Sequence, residues 1–390
     1  MKPDKLKILV FDADQKHSLG IVRHLGKKGY IVHALTYTKC CLSSWSKYCD
    51  KEIYIPFHDK FDEILIDTIQ LEQYDILMPV GTTSYKFCNR LRDKIISETN
   101  AKLLLAPSKS FHTAMSKELT LSLAESIGIQ TPKTIIPTTD INFAEVISEL
   151  GCQVVIKARH ELGINVVEYA NGTDELTTKF KLLNKKYKFT ENDLPIIQSF
   201  ISGYGVGFFG FFINGKCHQS YQHKRIREYP VTGGMSTCCE LFYNEKVEQN
   251  SLKLLEYLNW TGVAMVEYKI DKSGDPILME INPKFWGSHD LALACGIDFP
   301  QKIIDYLRGD YEQNKNYLSS GTKRFHWPLH GDVQHIMSKP SNIFNFVKDL
   351  FDKNVENNIH LREDFWGTVG IAINLIQKLF RKLNKTVMKL

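Results

Sequence analysis

The feature that most constrains the fold of this chain is the alternation of short apolar segments with amphipathic ones over about its first hundred residues. The predicted strands are 7–11, 30–35, 75–79 and 102–106, and the predicted helices are 17–28 and 83–97. This alternation predicts a parallel sheet with helices on both faces. The first strand-to-helix turn, 12–20, lacks a GxGxxG pattern, which argues against a dinucleotide site and a dehydrogenase.

A different pattern begins after residue 106. A predicted helix over 107–127 ends at Gly128, and the extended-chain signal of Pro132 follows, so we expect a domain boundary here. Residues 133–200 predict a compact α+β unit. A hairpin at Asn214-Gly215, the dipeptide of a type I′ turn, then begins a set of antiparallel strands.

The excess positive charge of the chain lies at its end. The 49 Lys and Arg residues exceed the 44 Asp and Glu residues by five, and residues 365–390 hold five basic residues and no acidic one. The rest of the chain is therefore neutral. Because nucleic-acid-binding domains usually concentrate basic residues on one face, this balance argues against a nucleic-acid partner.

The basic residues at the end fall on a predicted amphipathic helix. Two interpretations stay open: the helix docks on the body with a solvated basic side, or residues 366–390 lie on a membrane surface and contact anionic lipid. Residues 1–14 lack the apolar core of a signal peptide, and no segment approaches a membrane span. We therefore expect a cytoplasmic protein, with peripheral contact at the inner membrane surface as the alternative.

Two predicted antiparallel strands carry acidic residues near their ends. Glu267 lies on the first strand, and Glu280 and Asn282 share one face of the second because strand side chains alternate. Facing carboxylates repel each other unless a cation lies between them, and carboxylate and amide oxygens suit magnesium. The pattern favours a Mg²⁺ site, and a solvated strand pair without metal is the alternative.

The sequence of these acidic strands resembles that of the ATP-grasp superfamily. Two nearby motifs add to the resemblance: Phe-Trp-Gly-Ser at 285–288 and Ala-Cys-Gly-Ile-Asp-Phe-Pro at 294–300. They look closest to its carboxylate–amine ligase branch, distantly like carbamoyl phosphate synthase and biotin carboxylase. The resemblance covers about residues 6–310 and implies an α/β and α+β fold. The implied parts are a Rossmann-like preATP-grasp domain (1–106), an ATP-grasp domain (107–310) with a lid (about 131–200) and an antiparallel C-lobe (about 201–310), and a helical appendage (311–390).

The resemblance also implies the nucleotide and metal ligands. They are Glu267, Glu280 and Asn282 for the metal, Lys117 and Lys157 for the phosphates of ATP, and Gln198, Ser199, Phe200 and Ile201 for adenine. Two positions depart from the pattern of the superfamily. Ser199 stands where most relatives have glutamate, and the loop between the lid strands keeps a single glycine, Gly163, where a glycine-rich turn is usual.

A cation-rich segment lies between the lid and the acidic strands. Arg225 and Arg227 alternate along an extended chain, so both can reach one side and fix a substrate carboxylate or the transferred phosphoryl group. The resemblance supports this interpretation and adds Lys284, where many relatives have arginine. We expect Arg225, Arg227 and Lys284 to be catalytic, and a solvated basic strand is the alternative.

The function that the resemblance implies is an ATP-dependent carboxylate–amine ligase. A carboxylate would attack the γ-phosphate of ATP to give ADP and an acyl phosphate, and an amine would then displace phosphate. The implied cofactors are ATP and one or two Mg²⁺ ions, with Mn²⁺ as a substitute, and the implied partners are a small-molecule acid and amine, with a dimer as one expected assembly. The alternative is a catalytically altered ATP-binding protein held at a membrane surface or in a complex.

Overall fold

Helices and strands follow one another along the described chain. A computed structural model describes residues 5–39, 41–163, 166–231, 233–311 and 324–387, with side chains up to residue 377. Its strands are β1 (Lys7–Val10), β2 (Ile31–Thr36), β3 (Lys51–Tyr54), β4 (Ile76–Met78), β5 (Lys102–Leu103), β6 (Thr134–Ile135), β7 (Gln153–Lys157), β8 (Val167–Asn171), β9 (Ile196–Ser199), β10 (Gly203–Ile213), β11 (Lys216–Tyr229), β12 (Met235–Leu241), β13 (Gly262–Asp271), β14 (Pro276–Asn282), β15 (Arg324–His326) and β16 (Val355–Asn357). Its helices are α1 (Lys16–Lys27), α2 (Phe61–Glu72), α3 (Thr82–Arg90), α4 (Arg92–Glu98), α5 (Ser108–Met115), α6 (Lys117–Ser126), α7 (Phe143–Leu150), α8 (Gly172–Tyr187), α9 (Glu245–Tyr257), α10 (His289–Ala294), α11 (Phe299–Arg308), α12 (Val333–Ser338), α13 (Ile343–Phe351) and α14 (Phe365–Val387).

The chain divides into two compact units, each built from separate stretches. The first comprises Met1–Leu105, Arg225–Leu241 and Lys284–Leu390, and the second comprises Ala106–Lys224 and Phe242–Pro283. The strand β11 begins in the second unit and ends in the first. The compact units therefore interleave along the sequence. The domain boundaries expected from the sequence follow chain order and stay a prediction.

A parallel sheet forms the centre of the first unit. Its strand order is β3-β2-β1-β4-β5, and every neighbouring pair is parallel. Leu9 and Phe11 pack with Leu65 and Ile69 of α2 in one buried cluster, which is the expected result of covering an apolar sheet face with an amphipathic helix. The predicted Rossmann-like parallel sheet is confirmed.

The sequence pattern does not predict β3 or α2, and it predicts a single helix where the structure has α3 and α4. β3 is an edge strand whose Lys51 and Tyr54 are exposed, so its apolar pattern is weak. Leu91 has φ −93° and ψ 7°, which interrupts the predicted helix over 83–97. The stretch beyond residue 311, expected to be helical, also supplies the short strands β15 and β16.

The beginning of α14 docks on the first unit. Ile371 is fully buried and packs with Leu19 and Leu42, which supports the docked interpretation for the first two turns of this helix. The basic residues behind the membrane interpretation, Lys378, Arg381, Lys382, Lys385 and Lys389, lie outside the described side chains. Among the described residues, no helix combines the length and the apolar character that crossing a membrane requires.

A buried ion pair fixes the segment that precedes α14. Arg23 Nε lies 2.7 Å from Asp364 Oδ2, with 6% and 1% of the two side chains exposed. Ser46 Oγ and Lys47 N also donate to the Asp364 carboxylate, at 2.8 and 3.0 Å. This one carboxylate therefore holds α1 and the turn after β2 against the start of α14.

We expect Asp364→Ala to lower the free energy of unfolding by about 3–5 kcal/mol, because it leaves the Arg23 guanidinium buried without its carboxylate. Glu363→Ala is the matched control: Glu363 pairs with Lys27 at an exposed position, so a change below about 1 kcal/mol is expected. Urea denaturation followed by circular dichroism measures both. Equal, small changes would contradict the structural role of Asp364.

Two antiparallel sheets form the second unit, and the smaller one has the order β6-β9-β7-β8. On one face, Val154 and Ile156 of β7 pack with Leu176 of α8 in a buried cluster. Because strand side chains alternate, Val155 and Lys157 lie on the opposite face. The sheet therefore carries a helix-covered face and a face on which Lys157 stands.

Within this unit the larger sheet, which has seven strands in all, runs in the order β14-β13-β10-β11, and the last residues of β11 belong to the first unit. Trp260 and Phe208 pack with Leu254 of α9 in its buried core. The β10–β11 hairpin turns at Asn214 and Gly215, whose φ angles of 48° and 76° are both positive, as a type I′ turn requires. The predicted hairpin is confirmed.

Candidate active site

Three side chains predicted as metal ligands meet on β13 and β14. Glu267 lies directly opposite Glu280 in the antiparallel register, so both occupy one face of the sheet. Asn282 shares that face, and its Nδ2 donates to Glu280 Oε1 at 3.0 Å. The pairing register shifts just after Glu267, an irregularity that often re-aims a functional side chain. Two carboxylates and an amide oxygen are thus brought together.

Lys117 joins these carboxylates through an ion pair. Its Nζ lies 2.8 Å from Glu280 Oε2, and 13% of the lysine and 24% of the glutamate side chain are exposed. Burial alone would raise the pKa of Glu280, but Lys117 foremost holds it well below its usual range. Burial alone would lower the pKa of Lys117, but the nearby carboxylates, Glu280 foremost, raise it. Both groups are therefore charged at neutral pH.

The position of Lys117 results from a break in a helix. The predicted single helix over 107–127 is wrong, because Ser116 separates α5 from α6. Ser116 is extended, with φ −109° and ψ 118°, and its hydroxyl accepts an amide hydrogen bond from the first turn of α6. Lys117 N donates to Arg159 O at 2.9 Å, which ties this break to the chain just beyond β7. Lys117 thus begins α6 beside the end of the strand that carries Lys157.

Lys157 ends β7 on the face opposite the helices. Its Nζ lies 3.9 Å from Met279 Sδ. Burial lowers the pKa of Lys157 to about 8, with Glu280 opposing the shift and Lys117 adding to it. An ammonium whose charge is disfavoured by burial gains most from an incoming anion, and a lysine is a mobile point charge suited to phosphate.

The segment predicted to meet adenine begins at the end of β9. Gln198 is 1% exposed, and its Nε2 donates to Thr134 Oγ1 at 2.9 Å. The backbone N–H groups of Ser199 and Phe200 donate to carbonyl oxygens of the same unit at 2.9 and 3.2 Å. The side chain of Phe200 is partly open, with 36% of the residue exposed. The segment is therefore held by its backbone, while a ring and an amide side chain remain as contacts for a base.

Lys269 is a residue that the sequence analysis missed. Its Nζ donates to Ile201 O at 3.1 Å and lies 5.1 Å from the centroid of the Phe200 ring. Lys269 follows Glu267 by two residues on β13, so alternation along this strand would have placed it on the same face as the carboxylate. It ties the segment predicted to meet adenine to the strand that carries a predicted metal ligand.

The loop after β7 keeps the single glycine noted in the sequence. Gly163 has φ 77°, the left-handed conformation that glycine adopts readily, and its N–H donates to Glu161 Oε1 at 2.9 Å. Ile164 and Asn165 lie outside the described residues. How this loop covers phosphates stays a prediction.

Arg227 lies in a buried ion-pair network of the first unit. Its Nε and Nη2 each lie 2.7 Å from one oxygen of Asp332, and its Nη1 lies 2.6 Å from Asp349 Oδ2. Only 2% of its side chain is exposed. A bidentate pair and a further ionic hydrogen bond already engage this guanidinium. This placement departs from the expectation that Arg227 contacts substrate beside Arg225.

Arg225 and Lys284 also belong to the first unit. Arg225 Nη1 lies 3.4 Å from Gly234 O and 3.6 Å from Glu228 Oε2, and 17% of its side chain is exposed. Lys284 is half-buried and follows Pro283 directly after β14. The residues predicted to bind metal, phosphate and adenine therefore all belong to the second unit, and the three residues expected to be catalytic belong to the first.

Comparisons with known proteins identify the fold of the chain. A family model described as "ATP-grasp in the biosynthetic pathway with Ter operon" matches residues 220–324. The biotin carboxylase domain of a 2-oxoglutarate carboxylase from Hydrogenobacter thermophilus, a dimer bound to MgADP, ADP and bicarbonate, has a TM-score of 0.64 at 14% identity over 80% of this chain and 71% of its own. The chain has the ATP-grasp fold. The resemblance found in the sequence is confirmed.

Two further proteins that are similar to this chain, one in sequence and one in fold, are a ligase and a synthetase by name. A D-alanine–D-alanine ligase of Nitrosomonas eutropha is 26% identical over 216 residues, which are 50% of this chain and 66% of that enzyme, just under two thirds of its length. An N5-carboxyaminoimidazole ribonucleotide synthetase in complex with ADP has a TM-score of 0.61 at 16% identity over 82% of this chain and 80% of its own. The expectation of an ATP-grasp ligase agrees with these matches.

Proposed function

We propose that this chain is an ATP-dependent carboxylate–amine ligase that forms an amide or peptide bond through an acyl phosphate. A carboxylate oxygen attacks the γ-phosphorus of ATP and ADP leaves; the amine nitrogen then attacks the acyl carbon and phosphate leaves. The likeness to a D-alanine–D-alanine ligase supports this reaction class. The observation that carries the proposal is the meeting of Lys117 with Glu280, opposite Glu267 and beside Asn282.

The donor set fits Mg²⁺. Glu267, Glu280 and Asn282 offer hard oxygen ligands, and the ion pair with Lys117 keeps Glu280 ionised in spite of burial. When bound, Mg²⁺ supplies charge neutralisation at the phosphate oxygens of ATP. We propose one or two ions, with Mn²⁺ as a substitute. The MgADP complex of the H. thermophilus domain supports this choice.

Four side chains of this protein then position the nucleotide and the substrates. Lys157 contacts the α-phosphate, and Lys117 exchanges its carboxylate partner for a phosphate oxygen when ATP enters. Arg225 and Lys284 fix the substrate carboxylate and the transferred phosphoryl group, as bound cations do in phosphoryl transfer generally. Because two carboxylates already engage Arg227, we propose that it holds the end of β11 and thereby positions Arg225.

The substrates in this proposal are a small-molecule acid and a small-molecule amine. We propose that the enzyme works in the cytoplasm, and that it forms a dimer, as the H. thermophilus domain does. Contact of residues 366–390 with a membrane surface is a separate proposal that only their basic composition supports.

The nucleotide products test the proposed reaction. Purified protein with ATP and Mg²⁺ is incubated with panels of acids and amines, and ADP with phosphate is quantified against AMP with pyrophosphate. We expect ADP to accumulate only when an acid and an amine are both present, so omission of the amine is the internal control. AMP would indicate adenylation instead. ATP binding without turnover across the panels would favour the altered ATP-binding protein, to which the loss of the usual glutamate at Ser199 points.

A further inference from the structure

The short helix α13 carries its large apolar side chains on one face. At 3.6 residues per turn, five of them fall within about 120° of arc around the helix axis. They are Ile343, Phe344, Val347, Leu350 and Phe351, and we call this arc the apolar face of α13. A face of this width is typical of a helix that covers a hydrophobic core, so the pattern predicts that the face is buried.

In the structure the apolar face of α13 points to solvent. Phe344 is 84% exposed and Phe351 is 83% exposed, while the three aliphatic residues of the face are 42–48% exposed. At about 200 Å² for each large side chain, the face leaves on the order of 600 Å² open. Soluble proteins rarely leave an apolar patch of this size exposed unless it is an interaction site.

The polar side of α13 holds the helix on the first unit. Asp349 lies nearly opposite the apolar face and is 2% exposed. Its two carboxylate oxygens lie 2.6 Å from Arg227 Nη1 and 2.8 Å from Arg324 Nη1. Turning the helix to bury its apolar face would break both ion pairs and leave buried charge unpaired, which is costly. These ion pairs therefore keep the apolar face outward.

The charges around the apolar face favour an anionic surface over a second copy of the chain. Lys348 lies at the edge of the apolar arc, Lys339 and Lys353 flank the helix, and all three are exposed. In a two-fold dimer the same face would meet itself, so lysines would approach lysines and repel. The negative charge of anionic lipid attracts each of them.

The start of α14 exposes a second apolar element of the first unit. Phe365 and Trp366 are both more than half exposed, and their ring centroids lie 5.4 Å apart. Aromatic rings of this kind are enriched where a protein meets the headgroup region of a membrane. The sequence that follows them holds five basic residues and no acidic one. Stable anchoring to a membrane usually needs two signals, one apolar and one polybasic, and this unit offers both.

We propose that α13 binds an anionic membrane surface, with its apolar face among the upper acyl chains and its flanking lysines at the lipid phosphates. The inference concerns where the protein is held, so it goes beyond the proposed ligase reaction and does not rest on it.

Co-sedimentation of the full chain with vesicles of equal parts phosphatidylcholine and phosphatidylglycerol tests this proposal. We expect the double variant Phe344→Ser/Phe351→Ser to lower the partition coefficient at least about 30-fold, because neither ring is then transferred from water into lipid. The matched control is Leu71→Ser/Ile96→Ser, which removes two exposed apolar side chains from α2 and α4 of the same unit and is expected to change nothing. Lys348→Gln should weaken binding about fivefold, and vesicles of pure phosphatidylcholine should bind at least about tenfold less protein.

Light scattering and urea denaturation distinguish other occupants of the apolar face. We expect the double serine variant to keep the molar mass and the urea midpoint of wild type. Wild-type protein that binds neither kind of vesicle, or a double serine variant that binds them as wild type does, would overturn the proposal. A wild-type dimer that the variant separates into monomers would assign the face to a second copy. A lowered urea midpoint would assign it to another part of the same chain, and either result would also overturn membrane binding.

Discussion

Glu280→Gln is expected to lower the rate of ADP formation by about 10³-fold or more, because metal-ion stabilisation of phosphate charge is worth several kcal/mol. The substitution keeps the size of the side chain and its place opposite Glu267, but it removes the negative charge that would bind Mg²⁺ and that pairs with Lys117 at 2.8 Å. The measurement is ADP release with saturating substrates, at several Mg²⁺ concentrations.

The matched control for Glu280→Gln is Glu168→Gln, which removes the same charge from an exposed position on β8. We expect the control to keep the wild-type rate and both variants to keep the wild-type circular dichroism spectrum. A Glu280→Gln protein with the wild-type rate and an unchanged Mg²⁺ dependence would refute the metal assignment.

Lys157→Met is expected to lower kcat/KM by about 10²–10³-fold, since it removes a preorganised cation from the phosphates. The same substitution is expected to stabilise the protein at pH 7, by on the order of 1–3 kcal/mol, because burial lowers the pKa of Lys157 to about 8 and so disfavours its charged form. A gain in stability with a loss of activity is typical of a residue retained for function.

The pH dependence of the stability difference follows from the lowered pKa of Lys157. Below pH 8 the lysine is charged in both the folded and the unfolded state, so the full cost of burying the charge is present. Between pH 8 and the ordinary lysine range the folded state gives up the proton first, and the cost falls as pH rises. Urea denaturation of wild type and Lys157→Met should therefore show a difference at pH 7 that shrinks by pH 10. A difference that is constant with pH would contradict the buried-charge account.

The parts of the fold and site that the sequence could predict are those set by local periodicity. The parallel sheet follows from alternating apolar segments, and the pairing of Glu267 with Glu280 follows from two strands joined by a short turn. The pairs β1–β2 and β13–β14 each join strands that follow one another along the chain, so a pattern of period two or 3.6 is enough to predict them.

The features that sequence patterns missed depend on contacts between distant residues. At the helix break, Ser116 forms a β-bridge with His160, a partner 44 residues away that no helical periodicity reveals. Arg227 was expected to face substrate, and its carboxylate partners Asp332 and Asp349 lie 105 and 122 residues away in sequence. Long-range ion pairs of this kind determine whether an arginine is available to a ligand.

Transfer of ¹⁸O tests whether phosphoryl transfer from ATP activates the carboxylate substrate. An acid that supports ADP formation is labelled with ¹⁸O in both carboxylate oxygens, and the phosphate released in the complete reaction is examined by mass spectrometry. An acyl phosphate leaves one carboxylate oxygen on the phosphate, so we predict one ¹⁸O atom per phosphate released. Unlabelled phosphate, formed at the same rate as the amide product, would rule out an acyl phosphate intermediate.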